Sequence, residues 1–111
     1  YRVFESLLKD TVWFPKEIDN TFTASFCIPV IFKSTEHKNK AIRLFHENGI
    51  ECRPLISGSM GTQPFYKKVY GECKLSNCAI VDERGMYIPN HPKLSLEEIL
   101  LMCKLVIKAN Q

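Results

Sequence analysis

The sequence predicts an α+β domain in which a small sheet of about three strands is covered on one face by helices. Two observations carry that prediction. Three short runs, residues 21–32, 50–55 and 86–88, read as strands and are set off by turn-forming residues. Between and after them, apolar residues recur at helical spacing, most clearly over residues 34–48 and 95–108.

In chain order, residues 2–10 put Val3, Phe4, Leu7 and Leu8 on one helical face, and residues 11–20, with Pro15 and the lone Trp13, read as a connection. Residues 21–32 form the strongest strand, TFTASFCIPVIF. Pro29 removes a ladder donor from its middle, which puts that position at a sheet edge or a bulge. Ser34 and Thr35 cap a helix whose buried stripe is Ala41, Ile42, Leu44 and Phe45, and Asn48-Gly49 stops it. His46 lies beside that stripe and reads as a partly buried structural histidine. A short strand over residues 50–55 leads into Ser57-Gly58-Ser59-Met60-Gly61-Thr62-Gln63-Pro64, which has no apolar face to bury. Phe65, Tyr66 and Tyr70 interleaved with Lys67 and Lys68 suit either base stacking or a packed half-turn with solvated lysines. Residues 75–84 form a helix closed by Gly85, and Met86-Tyr87-Ile88 a strand stopped by Pro89-Asn90-His91-Pro92. The last helix carries a capping box, Ser95 with Glu98, a hydrophobic staple of Leu94 and Ile99, and a stripe of Leu96, Ile99, Leu100, Cys103, Val106 and Ile107.

With 111 residues the chain makes one domain with a real core. A net charge of +3 with scattered Lys and Arg does not indicate a nucleic-acid surface, and no apolar run approaches the ~20 residues that span a bilayer. The five cysteines are odd in number and lack C-x-x-C spacing. Cys27, Cys52 and Cys103 sit in apolar elements, so they read as free core thiols of a reducing cytoplasm. A zinc site from Cys73, Cys78 and His91 is disfavoured, because the spacing matches no closed four-ligand pattern and no metal is expected. Tyr1 is not Met, and residues 2–9 read as the tail of a helix already under way, so the sequence reads as a fragment of a longer protein.

No self-contained catalytic set is present, neither a phosphate loop nor a nucleophile elbow nor H-E-x-x-H. What remains is two polar loops that can face one ligand. The first is residues 57–63, preceded by Arg53; the second is Asn90-His91, stiffened by Pro89 and Pro92. Arg53 can pair bidentately with a phosphate or carboxylate, or sit in a surface salt bridge. Gly58 and Gly61 let backbone approach a ligand, and Ser59, Thr62 and Gln63 can exchange hydrogen bonds with hydroxyls. His91 can orient a substrate or move a proton, or cap the turn.

GIECRPLISGSMGTQPFYKKVYG and LSNCAIVDERGMYIPNHPKLSLEEI resemble the C-terminal small domain of the DegT/DnrJ/EryC1/StrS sugar aminotransferases. These are fold-type I enzymes that depend on pyridoxal phosphate (PLP) and act on nucleotide-linked keto-sugars. The resemblance rests on Gly49-Ile50-Glu51 with Arg53-Pro54, Gln63-Pro64, Ile88-Pro89 with His91-Pro92, and Leu94-Ser95 with Glu97-Glu98-Ile99, and it spans residues 22–109. The aminotransferases usually carry a histidine in the polar loop. This loop has none and is closer to that of the deoxysugar 3-dehydratases, with Ser59 in place of Asn, Thr62 in place of Arg, and Phe26 replacing Trp in the first strand.

The resemblance implies that residues 1–20 are the end of a linking helix and connection from a large domain, and residues 21–111 the small domain. It implies a parent, a homodimer, that uses PLP or pyridoxamine phosphate (PMP) in deoxysugar, lipopolysaccharide or O-antigen synthesis, with cofactor and catalytic residues outside this chain. The substrate-contacting residues implied here are Arg53, Ser57, Gly58, Ser59, Met60, Gln63 and His91. Two other readings stay open: a free-standing nucleotide or small-metabolite binding module using the same loops, and a domain without ligand that packs on a partner protein.

Overall fold

The computed structural model describes residues 1–56 and 58–111. Five α-helices, α1 (Arg2–Leu8), α2 (Thr35–Glu47), α3 (Pro64–Tyr70), α4 (Ser76–Arg84) and α5 (Leu96–Ala109), surround strands β1 (Cys27–Ile31), β2 (Arg53–Pro54) and β3 (Gly85–Pro89). The sheet order is β1-β3-β2 and both pairings are antiparallel. The α+β class and the sheet with one helix-covered face are as the sequence predicts.

Alternation fixes the two faces of the sheet. Ile28 and Val30 of β1 pair with Ile88 and Met86 of β3, and all four are buried. Against them pack Phe4 and Leu8 of α1, Ala41 and Phe45 of α2, and Met102, Cys103, Val106 and Ala109 of α5, in one core. Burial pushes the Cys103 thiol up to about 11. The other face carries Pro29, Tyr87 and Arg53, which lie side by side in register across the sheet.

Pro29 sits on an edge strand. Ile31 exchanges both backbone hydrogen bonds with Trp13, on the side away from β3. Pro29 has the same parity as Ile31, so its missing N–H faces the open edge rather than the ladder.

Several elements differ from expectation. Residues 21–26 do not extend β1, because β3 ends at Pro89, opposite Cys27, and offers no further partner. Side chains satisfy this backbone instead: Glu17 Oε1 accepts from Thr23 N at 2.8 Å, and Asn90 Nδ2 donates to Ser25 O. The second strand shrinks to Arg53–Pro54. Residues 64–70 form a helix rather than a half-turn, with Pro64 in its first turn and Gly71 just past its end. In α5 the buried face is Met102, Cys103, Leu105, Val106 and Ala109; Leu96 is 55% exposed and Leu100 only half-buried, so the stripe is rotated from the expected one. His46 is exposed, not partly buried.

The caps behave as read. Ser34 accepts from His37 N, and Ser95 and Glu98 make both bonds of a capping box. Gly49, at φ 68, takes the left-handed conformation that ends α2. Among the described residues no helix is long and apolar enough to cross a membrane.

Candidate functional site

The uncovered face of the sheet organises the site. Tyr87, on the central strand, points to that face, and the ring of Phe26 meets it edge-on with centroids 6.3 Å apart. Three grooves run along this face. A small one of about 210 Å³ is lined by Phe26, Cys52, Arg53 and Tyr87. A second, of about 560 Å³, shares Arg53 and Tyr87 with it and adds Gly58, Met60, Gln63, Phe65 and Asp82. A third, of about 710 Å³, shares Phe26 and adds Arg2, Glu17, Asn90 and His91.

The structure therefore brings Arg53, Gly58, Met60 and Gln63 together. His91 lies in the third groove, so the two polar loops meet opposite ends of the run rather than one pocket. Ser59 is 3% exposed and does not line these grooves. Ser57 lies outside the described residues.

Local hydrogen bonds set the shape of the first loop. Gly58 N donates to Leu55 O at 3.2 Å, Thr62 N and Oγ1 donate to Ser59 O at 3.1 and 2.8 Å, and Gln63 N donates to Met60 O at 3.1 Å. Residues Met60–Thr62 thus wind into a 3-10 turn. Cys73 N donates to Gly61 O at 3.1 Å and ties the turn to the segment after α3. Gly58 has φ 53, and a Cβ there would collide with the carboxylate of Asp82.

Arg53 donates from Nε to Glu51 Oε1 at 2.7 Å, with Nη2 on the same oxygen at 2.6 Å. This hydrogen bond and charge hold the guanidinium above its usual range. Both side chains are largely exposed, at 64% and 70%, so the pair is weak and an incoming anion can displace Glu51. In the third groove, Glu17 accepts from Thr23 N and pairs with Arg2 Nη2 at 2.7 Å. The Thr23 N–H, more than Arg2, keeps the Glu17 carboxyl below its ordinary range. His91 Nδ1 accepts from Lys93 N at 3.2 Å, so the ring braces the turn. Burial raises the thiols of Cys27 and Cys52 at the floor of the smallest groove.

Two groove residues, Asp82 and Tyr87, escaped the sequence reading. Tyr87 was legible from alternation on β3, since its neighbours Met86 and Ile88 are core residues. Asp82 stands in the last turn of α4, where an acidic side chain opposes the helix dipole, and that local misfit was its signal.

An internal aldimine with PLP needs an amine beside a pocket to condense with the cofactor's carbonyl. None of the five grooves described is lined by a lysine. Lys38 and Lys67 are engaged elsewhere, on Asp82 O and on the Glu72 carboxylate. The grooves described offer no amine for that bond, and no step through the cofactor is derived from this chain.

The family model described as the DegT/DnrJ/EryC1/StrS aminotransferase family matches residues 2–106. No curated relative matches the chain by sequence. Among solved structures, a Streptococcus pneumoniae protein described as a sugar aminotransferase, in its PMP form, superposes with a TM-score of 0.78 at 16% identity, over 96% of this chain and 28% of that one. The Escherichia coli GDP-4-keto-6-deoxy-D-mannose-3-dehydratase with bound hydrated PLP superposes with a TM-score of 0.75 at 19% identity, over 95% of this chain and 28% of that one. The chain thus spans less than a third of the length of either neighbour, and at these identities the likeness concerns the fold.

Proposed function

The chain belongs to the DegT/DnrJ/EryC1/StrS aminotransferase family, and from that premise we propose that it is the C-terminal small domain of a PLP- or PMP-dependent enzyme acting on nucleotide-linked 4-keto-6-deoxysugars. The reaction is 3-dehydration or transamination, in deoxysugar or surface-polysaccharide synthesis. In this reading residues 1–20 bring the chain in from a large domain, residues 21–111 form the small domain, and the parent is a cytoplasmic homodimer. The cofactor and its lysine, or the residue replacing it, belong to the large domain.

One observation of the structure carries the reading: Arg53, Met60 and Gln63 converge with Tyr87 on a single groove of about 560 Å³. Its walls are mostly apolar, with a few polar groups at fixed points, which is the usual make-up of a small-molecule site. Arg53 suits a phosphate of the nucleotide, and Gln63 and the loop suit the sugar. The exposed apolar surface also supports a domain that packs against further chain. Phe22 is 84% exposed and Val69 67%, apolar surface that further chain can cover.

The test is to supply the whole protein with PLP or PMP and with GDP-, UDP- and dTDP-linked 4-keto-6-deoxyhexoses, with and without glutamate. Product mass separates loss of the 3-hydroxyl from gain of an amine. Conversion of at least one of these is the expected result. If no sugar nucleotide is either bound or converted, the proposal is wrong.

A further inference from the structure

Asp82 has the position of a ligand-binding group. Its own carbonyl accepts from Lys38 Nζ at 3.1 Å, and two residues on Arg84 Nη1 donates to Lys33 O at 3.0 Å. These bonds tie the end of α4 to α2 and to the segment following β1, so the side chain starts from a fixed backbone. From there the carboxylate lines the 560 Å³ groove, pressed against Gly58, where only the absence of a Cβ lets it lie. Among the described residues no hydrogen bond or ion pair engages it, although it is half-buried. An acceptor held this way without a donor is what a hydroxyl-bearing ligand completes.

Resting on the reading that this groove takes a nucleotide-linked keto-sugar, we infer that Asp82 is the sugar-selecting residue, its carboxylate accepting hydrogen bonds from the hexose hydroxyls. A carboxylate has acceptor sites only, so it matches hydroxyls and repels the diphosphate. Arg53, which lines the same groove and the smaller one beside it, attracts it. The two charges thereby orient the ligand, sugar toward Asp82 and phosphates toward Arg53. Phe65 and Tyr87 add ring surface between them for the apolar face of the hexose.

Asp82→Asn keeps the size of the side chain and its contact with Gly58 while removing the charge. Calorimetric titration of the whole protein uses two probes: the 4-keto-6-deoxyhexose nucleotide it binds best, from the GDP, UDP and dTDP series, and the matching free nucleoside diphosphate. The expected result is a rise of about 10-fold to 100-fold in Kd for the sugar nucleotide, with Kd for the free nucleotide unchanged or lower. Asp82→Ser is run beside it, in case Asn disturbs the loop, and is expected to give the same asymmetry. An unchanged Kd for the sugar nucleotide, or equal weakening of both probes, overturns the assignment. If the unmutated protein binds none of the three sugar nucleotides, the functional reading itself fails, and the role of Asp82 with it.

Discussion

Gly58→Ala probes the one position among the described loop residues where a positive φ and a close contact act together. At φ 53, an L-residue in this left-handed region costs roughly 1–2 kcal/mol. The added methyl also stiffens the unfolded chain, which returns about 0.4–1 kcal/mol. On top of this, the new Cβ meets Oδ1 of Asp82, and turning that side chain off its rotamer costs about 0.5–1.5 kcal/mol. Together these give a net destabilisation of about 1–2.5 kcal/mol. In an Asp82→Ala background the collision is gone, and only the conformational part, about 1 kcal/mol or less, remains. Urea denaturation followed by far-UV circular dichroism on the four proteins of the cycle gives the coupling directly, expected at about 0.5–1.5 kcal/mol. A cost for Gly58→Ala that is the same in both backgrounds refutes the Asp82 contact. A cost near zero refutes the loop conformation as well.

Other substitutions follow from the same structure. Ser95→Ala removes the capping box of α5 and is expected to cost about 1 kcal/mol in denaturation. Met102→Ala, on the buried face, is expected to cost about 2–5 kcal/mol, and Leu100→Ala less than Met102→Ala; the reverse order would put the stripe back where the sequence suggested it. Stability is expected to hold up to about pH 9.0 and to fall from there toward pH 11. The unfolded Cys103 thiol ionises near 9.0 and the buried one near 11, so the unfolded state releases the proton first. Cys103→Ala should flatten that decline, and an equally steep decline in the variant would assign it to other groups. Titration of the chain with pyridoxal phosphate is expected to give no saturable aldimine absorbance, since no lysine lines a described groove. A stoichiometric aldimine on one lysine would contradict the reading that the cofactor's lysine belongs to the large domain.

Elements with a strong local code were legible in the sequence. The Ser34 cap, the Asn48-Gly49 stop and the Ser95–Glu98 box each satisfy backbone groups within one turn, so no distant partner is needed to predict them. Pro29 was legible as an edge residue for a similar reason. Strand lengths were not, because they depend on where the partner ends: residues 21–26 have strand composition but lie beyond Pro89. Nor was the rotation of α5, because the helix is apolar on several sides and only its neighbours α1 and α2 choose Met102 and Leu105 over Leu96 and Leu100. In the groove, the loop was legible from its composition. Its meeting with Asp82 and Tyr87 was not, since about twenty residues of chain separate them.

The most direct test of the account is Met60→Trp in the whole protein. Met60 is 46% exposed and lines the wall of the 560 Å³ groove. An indole there fills the volume proposed for the hexose while burying no new group in the core. The account predicts a steep rise in KM for the sugar nucleotide, or loss of turnover, with the thermal midpoint unchanged. Normal kinetics with a folded protein would remove this groove from the active site.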